Sequence, residues 1–407
     1  MLVNIPVEEA WELLLNITTP LQEESVPLIE ALHRVAAVDL AVAGDLPPNY
    51  QSAVDGFVVH ENDLQGGREL LVGEALGPGE IPSFSLNPGN TVKVVTGGIL
   101  PEGSAAVIPE ENAELKGGFL FVREQLVPGS NVKRQGEDFK KGEIILHRHE
   151  RLTPGALGVL AAFGQEKVTV CRRPSVAIIC LGPEIIPHYC TPKAGEVRDS
   201  NGPLLASLIL QEGGRIACLE YMGKDFSSKN GVDKLKNIYE KADLFITIGG
   251  AFGESSQQIF SLLGEAGAEM LFWGILSKPG SHSGGGIWGA KPVIALSGNA
   301  AACVVGYHLL ASPVLRKLQG LPADLEKVPA VCVDKYKKNG SNRRFLRGRL
   351  FVHEGCLKVK ILPGQKSSMM KSLLRYNALI DLPAGHPAVE ENSMVAVIPL
   401  CETVSLH

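Results

Sequence analysis

Between Pro174 and Leu318, apolar runs alternate with helical patterns, and this alternation constrains the fold of the 407-residue chain more than any other feature. The runs SVAIICLG, RIACLEY, DLFITIGG and PVIALSG are short and almost continuously apolar. Between them lie NGPLLASLILQEGG and SSQQIFSLLGEAG, and AAACVVGYHLL follows the last run, all with apolar residues at helical spacing. A strand that is apolar without alternation needs cover on both faces, and strands joined through helices pair in parallel. The pattern predicts an α/β domain with a mainly parallel sheet.

The flanks read differently. VEEAWELLL near the start and Leu28 to Ala37 have helical spacing, and RLTPGALGVLAAFG (151–164) opens a further helix with Thr-Pro. Between them, short β-type runs at 55–60, 91–95, 105–109 and 119–123 are cut by GPG, NPG and PGS turns. The expected organisation is a discontinuous helical domain (1–44 and 139–170), a β-rich insert (45–138), an α/β domain (171–325) and a C-terminal β-barrel (326–407). The barrel is read from VPAVCVD, RRFLRGRLFVHEG, CLKVKILP, NALIDLP and MVAVIPL, which follow one another quickly.

A formal net charge of −5 argues against a generic binder of nucleic acid or anionic membrane, because phosphate surfaces are held by excess Lys and Arg. No apolar run nears the ~18 residues that span a bilayer. The start lacks the basic head of a signal peptide, so a cytoplasmic protein is expected. Eight cysteines at 171, 180, 190, 218, 303, 332, 356 and 401 form no CxxC pair or Cys/His cluster, and free thiols in a reducing compartment are expected.

In an open α/β sheet, ligands bind beyond the carboxyl ends of the strands. There the chain places Pro183-Glu184, then Gly249-Gly250 with Ala251 to Ser256, then Ser297-Gly298-Asn299 before a helix. Such glycine-bearing helix starts hold anions on backbone N–H groups, with the helix dipole adding roughly 0.3–1 kcal/mol; equally, the glycines can simply turn the chain. Asp199-Ser200-Asn201 reads either as a helix cap or as a substrate contact. The run Lys278 to Gly286 (KPGSHSGGG) can surround an oxyanion or form a hairpin tip. SAVDGF (52–57) and NVKRQGED (131–138) are acid-bearing turns, and Arg343, Arg347 and Arg349 share one strand face as a solvated edge or an anion clamp.

In order along the chain, these segments resemble the MoeA/gephyrin family, enzymes that insert molybdenum into the pterin of molybdenum cofactor. The family's SAMDGYA appears as SAVDGFV (52–58), its TGAPxPxGADAVV as TGGILPEGSAAVI (96–108) and its NxRxxGED as NVKRQGED. STGDEL is similar to CLGPEI (180–185), DSN stands at 199–201, SGGVSxGDxD becomes IGGAFGESS (248–256), KPGKP becomes KPGSH (278–282) and GLPGNPVS becomes ALSGNAAA (295–302). Several positions depart from the family pattern: Ala105 and Pro183 replace aspartates, Ser281 replaces the second lysine, Ser297 and Ala300 replace prolines, and the acid of SxGDxD is displaced to Glu254 or lost.

The resemblance implies a MoaB/Mog-like α/β domain that binds molybdopterin, and a homodimer whose site lies where the insert of one chain faces the α/β and barrel domains of the other. It implies Mg2+ as cofactor, with molybdate and adenylylated molybdopterin as substrates and AMP released. Carried over position by position, Asp55, Glu184 and Asp138 are the catalytic acids, with Asp55 and Glu184 on the metal. Thr96, Asp199, Asn201, Gly249, Gly250, Ser297, Gly298 and Asn299 contact substrate; Lys278, Ser281, Arg347, Ser367 and Ser368 line the molybdate pocket. His282 and Lys291 stand as substitutes for the missing lysine. A Mog-like adenylyltransferase and a molybdoenzyme chaperone are the protein partners implied. The departures leave a second reading, a non-catalytic pterin-binding paralogue acting as carrier, sensor or scaffold.

Overall fold

The structure, a computed structural model, describes residues 1–223, 229–250, 254–338 and 341–400, apart from the side chains at 229 and 254–258. The motif positions Ala251 to Gly253 lie outside the described residues, as do the side chains of Glu254, Ser255 and Ser256 and the whole of Cys401. The chain opens with strand β1 (Leu2–Ile5) and helix α1 (Val7–Asn16), whose Val7, Ala10 and Leu14 form one buried stripe.

Both elements belong to the α/β domain and not to the discontinuous unit expected for 1–44 and 139–170. Two further differences concern that unit. The helix expected over 28–37 is one 3-10 turn, Leu28–Ala31, after which His33 takes a positive φ and Val35 and Ala36 bridge to Arg151 and Val170. Strand pairing across the chain wins there over local helical spacing. The rest of the unit is largely paired strand, Glu23–Pro27 against Lys167–Cys171 and Leu40–Ala41 against Ile144–Leu146, with α2 (Pro154–Ala162) its one α-helix among the described residues. The Oγ1 of Thr153 caps α2 by accepting from the Ala156 amide at 3.2 Å.

The insert is built around β2 (Gly56–His60), which pairs antiparallel with β3 (Ser104–Pro109) on one side and with Lys93–Val94 on the other. The α/β domain then runs β4 (Ser175–Leu181), α3 (Asn201–Gln211), β5 (Arg215–Met222), α4 (Lys229–Tyr239), β6 (Leu244–Ile248), α5 (Glu254–Ala266), β7 (Ala268–Ile275), β8 (Gly284–Trp288), β9 (Lys291–Leu296) and α6 (Ala300–Gly306). From α6 the helical run continues through a π segment, Tyr307–Ala311, into α7 (Ser312–Leu318).

The sheet order is β1-β7-β8-β9-β6-β4-β5, parallel from β5 to β9 and antiparallel on both sides of β8. In β4 the even residues Val176, Ile178 and Cys180 face a core shared with α1, α3 and the 300–318 helical run. The odd residues Ala177, Ile179 and Leu181 face a second core under α4 and α5. That double cover is why the run is continuously apolar.

The C-terminal part is a closed barrel of β10 (Val328–Cys332), β11 (Arg344–His353), β12 (Cys356–Ile361), β13 (Ala378–Leu382) and β14 (Ser393–Pro399), in the order β10-β12-β11-β13-β14. Leu346, Leu350, Val359 and Ile380 fill its interior. Phe345, Leu379 and Ile398 point outward into the α/β core and join the two domains through one apolar contact. Among the described residues no helix is long and apolar enough to cross a membrane, and all seven described cysteines are free thiols.

Candidate active site

Three separate sequence motifs meet at one end of the insert. Val132 and Lys133 pair with Ser52 and Gln51, and the Ala53 amide donates to Asn131 O at 2.9 Å. On the other side, the Ser52 amide donates to Gly98 O (2.9 Å) and the Gly97 amide to Ser52 O (2.8 Å). Asp55 stands at this junction, where its Oδ1 accepts from the Thr96 amide at 2.6 Å and the Thr96 hydroxyl at 2.9 Å. Those two bonds, the amide first, hold the exposed carboxyl below its ordinary value of 3.8. Oδ2 has no protein partner among the described residues. Asp138 is also exposed, and its backbone N–H is tied to Leu46 O at 3.0 Å.

In the α/β domain the direction of winding reverses between β4 and β6, because β5 lies on one side of β4 and β6 on the other. A crevice opens at such a switch point. Its floor is backbone: Gly249 (φ 92°) and Gly250 (φ 62°) follow β6, and a Cβ on Gly298 would sit 3.3 Å from Gly249 Cα. A side chain at 249 would run into Leu181 O at the end of β4, so glycine is required there. Asn201 Nδ2 donates to Gly298 O (2.7 Å), which ties the start of α3 to the loop after β9, while Asn201 Oδ1 is buried and has no partner among the described residues. Glu184 lies exposed beside this edge, with Ser297 buried and Asn299 exposed next to it.

Asp199 is only 5 % exposed, and the protein itself uses both of its oxygens. Oδ1 accepts from the Asn201 and Gly202 amides, each at 3.0 Å, and so caps α3. Oδ2 accepts from the Tyr221 hydroxyl (3.1 Å) and the Cys180 thiol (3.4 Å). Burial, with the Asp199 carboxylate added to it, raises the Tyr221 and Cys180 pKa values well above their usual ones and keeps both groups protonated donors. The expectation that Asp199 contacts substrate therefore gives way to a structural role. Asn201, which it positions, is the residue that reaches the crevice.

The turn after β7 brings Lys278 against the barrel: its amide donates to Arg343 O (2.9 Å) and its carbonyl accepts from the Phe345 amide (3.0 Å), while the side chain is exposed. Ser281 and His282 follow, with Ser281 Oγ 3.4 Å from His282 Nδ1. Ser367 approaches from the barrel, its carbonyl accepting from the Ala301 (2.9 Å) and Ala302 (3.3 Å) amides. These α6 amides are thus already occupied, and an anion at that helix start is left with the Gly298 to Ala300 edge. Lys278, Ser281, Ser367 and the exposed Ser368 do share this corner of the molecule.

Arg347 differs from its expected role. It is fully buried and donates to Ser372 Oγ (3.0 Å) and Gly364 O (2.7 Å), so it holds the 364–372 loop that carries Ser367 and Ser368. Burial lowers its pKa to about 10. Arg343, the other expected clamp, forms a bidentate pair with Asp381 and also bonds Glu8. The glycines 284–286 are no hairpin tip but lie inside β8, where a Cβ on Gly285 would come within 2.6 Å of the Phe272 ring. Lys291 begins β9 at the far end of the sheet and donates to Tyr239 O at 2.6 Å, so it is no substitute for the absent lysine.

Among the described residues, no three His, Cys, Asp or Glu side chains lie together as a metal cage. Mg2+ does not need one, since it keeps several waters and is held through one or two carboxylates plus substrate phosphates. Glu184 and the free oxygen of Asp55 fit that requirement. Sequence reasoning missed Tyr221, Cys180, Gln365 and Ser372. Tyr221 carries a faint signal as a polar tip at the end of an apolar strand, whereas Gln365, which brackets the Arg347 backbone with bonds of 3.1 and 2.8 Å, carries none.

Three family models match the chain in order: the MoeA N-terminal region (domain I and II) over residues 5–164, a probable molybdopterin binding domain over 177–317 and the MoeA C-terminal region (domain IV) over 329–400. The molybdopterin molybdenumtransferase of Staphylococcus epidermidis is 27% identical over 400 residues, covering 97% of this chain and 95% of its own. That of Staphylococcus aureus is 27% identical over 401 residues, with the same coverage. The crystal structure of the molybdopterin biosynthesis MoeA protein of Pyrococcus horikoshii OT3 superposes with a TM-score of 0.81 at 27% identity, covering 97% of this chain and 100% of that one. A second crystal structure of a Pyrococcus MoeA protein gives a TM-score of 0.83 at 28% identity, covering 98% and 100%. With its insert, crevice and barrel in the same order and nearly its whole length matched, this chain belongs to the MoeA family.

Proposed function

We infer that the protein is a molybdopterin molybdenumtransferase of molybdenum cofactor biosynthesis. It takes adenylylated molybdopterin and molybdate, cleaves the phosphoanhydride to release AMP and leaves molybdenum on the dithiolene sulfurs. The observation that carries this reading is the backbone-floored crevice at the β4/β6 switch point, with the unpartnered Asn201 Oδ1 beside it. A phosphate can approach main-chain N–H groups there because Gly249, Gly250 and Gly298 present no side chain. Asn201 Oδ1, unpartnered among the described residues, would accept from a donor on the pterin, and Lys278 with the Ser281 and Ser367 hydroxyls would offset the charge of the oxyanion. Mg2+, when bound, would neutralise phosphate charge and order water. Glu184 and Asp55 would hold it, with Thr96 fixing Asp55, and Asp138 would help to orient water. Relatives named as transferases match nearly the full chain, so a non-catalytic carrier is not favoured.

Asp55 and Glu184 sit on different lobes, and each supplies one exposed carboxylate. We place the working site between two chains, the insert of one over the crevice of the other, in a homodimer of the cytoplasm. A Mog-like adenylyltransferase would supply its substrate, and a molybdoenzyme chaperone would accept its product.

Purified protein with adenylylated molybdopterin, Mg2+ and molybdate should release AMP; no release at any molybdate concentration rejects the reading. Asp55→Ala and Glu184→Gln should each lower release by at least ~100-fold, about 2.7 kcal/mol in the barrier, while both variants still fold. Mixing the two variants should restore part of the activity, since a mixed dimer holds one intact site. Variants that stay inactive when mixed would place both acids on one chain's site.

A further inference from the structure

One edge of strand β11 is filled by three different partners in turn. From Gly348 to His353 the neighbour is β12. At Arg347, just beyond the end of β12, the neighbour is a loop start and a side chain. The Leu362 amide donates to Arg347 O (3.1 Å), Gln365 Nε2 donates to the same carbonyl (2.8 Å) and Gln365 Oε1 accepts from the Arg347 amide (3.1 Å). At Phe345 and Arg343 the neighbour is the main chain of Lys278, which bridges β11 in parallel. Residues 343, 345 and 347 use the same edge because alternate residues of a strand turn their N–H and C=O groups to the same side.

Gln365 thus stands in for one main-chain rung, between the rung of β12 and that of Lys278. Its orientation is fixed by a third bond, from Nε2 to Leu362 O at 2.8 Å; a flipped amide would set its oxygen against two carbonyls. With both hydrogens on carbonyls and the oxygen on an amide, the carboxamide serves the main chain and not a ligand. Two positions further on come Ser367, whose carbonyl accepts from the α6 amides, and the exposed Ser368. The turn that carries Lys278 and the loop that carries the two serines are therefore both measured from β11, on neighbouring rungs of one edge.

We infer that Gln365 is a positioning residue for the oxyanion: it sets how far the Ser367 and Ser368 hydroxyls stand from the Lys278 ammonium. The inference rests on the transferase reading for what the oxyanion is. Spacing matters because a misplacement of about 1 Å can cost on the order of 100-fold. The strand also supplies a matched comparison. Asn377 brackets Leu350 in the same way, Oδ1 accepting from its amide (2.6 Å) and Nδ2 donating to its carbonyl (2.9 Å), but on the edge of β11 that faces β13.

AMP release by the full-length protein, with molybdate and adenylylated molybdopterin varied in turn, tests the assignment. Gln365→Met keeps the length of the side chain and loses all three bonds. It should raise the KM for molybdate at least ~tenfold, with the KM for adenylylated molybdopterin and kcat at saturating molybdate within about twofold of wild type. Gln365→Glu, which keeps the acceptor for the Arg347 amide, should shift the molybdate KM in the same direction. Asn377→Leu should lower the melting temperature and leave the molybdate KM alone. A fall in kcat with no change in molybdate KM, an equal rise in both KM values, or the same molybdate shift in Asn377→Leu overturns the inference and leaves Gln365 a purely structural residue. Hydrogen exchange gives a readout free of turnover: residues 362–374 should exchange faster in Gln365→Met, and unchanged exchange there also overturns the inference. If wild type releases no AMP, the transferase reading falls and the exchange result alone decides for or against Gln365.

Discussion

Two aspartates, one on the insert and one at the sheet edge, make nearly the same short-range bonds and end up with opposite roles. Asp55 accepts two hydrogen bonds from Thr96 on a single oxygen and stays exposed, so its second oxygen is available. Asp199 accepts two amides on one oxygen and two side-chain donors on the other, and it is buried. A carboxylate within a motif can serve a ligand only if the fold leaves it an unspent oxygen. At 199 the fold leaves none, and the reach into the crevice passes to its neighbour Asn201.

The comparison breaks most visibly at Asp199. Asp199→Ala removes the cap of α3 and strands the Tyr221 hydroxyl and the Cys180 thiol, a loss of roughly 2–4 kcal/mol. Denaturant unfolding should register it as a large fall in midpoint with little change in slope. If Asp199→Ala unfolds like wild type yet loses turnover, the two aspartates are alike after all. A smaller effect is expected from Asn201→Ala, which loses one bond to Gly298 O, about 0.5–1.5 kcal/mol of stability. Its AMP release should fall by more than that loss of stability explains, and equal release would remove Asn201 from the crevice.

The smallest effect concerns protons. The folded Asp55 carboxyl titrates below its unfolded value, so its contribution to stability is complete above the ordinary aspartate range and disappears as pH falls through the lowered value. NMR titration of the Asp55 carboxyl should find it below 3.8, and Thr96→Val, which keeps the amide donor but removes the hydroxyl, should move it part of the way back. No movement would mean that the hydroxyl has no hold on the charge.

The same contrast explains what could be read from the chain. The parallel strands were legible because double burial leaves a continuous apolar run, and Thr153-Pro154 marked a helix start because cap and proline are local signals. The helix expected over 28–37 was not, because Val35 and Ala36 are claimed by Arg151 and Val170, more than a hundred positions away. The glycines of 284–286 looked like a loop, whereas the Phe272 ring and other neighbours leave no room for a side chain there. At Arg347, strand alternation gave the shared face of the residue but not that the 364–372 loop covers it there and takes its guanidinium bonds. The Asp199 network was invisible for a similar reason, since Tyr221 is 22 positions from its acceptor.

The placement of β1 has a consequence for how the protein is made. Leu2, Val3 and Ile5 pair with Phe272, Trp273 and Ile275, so this strand must wait during synthesis for a partner made some 270 positions later. Such a long closure is slow, and until it happens the Ala268–Ile275 strand has a bare flank open to other chains. A fragment starting near position 171 would keep that bare flank permanently and should clump, whereas co-expressing residues 1–20 as a separate peptide should keep it in solution.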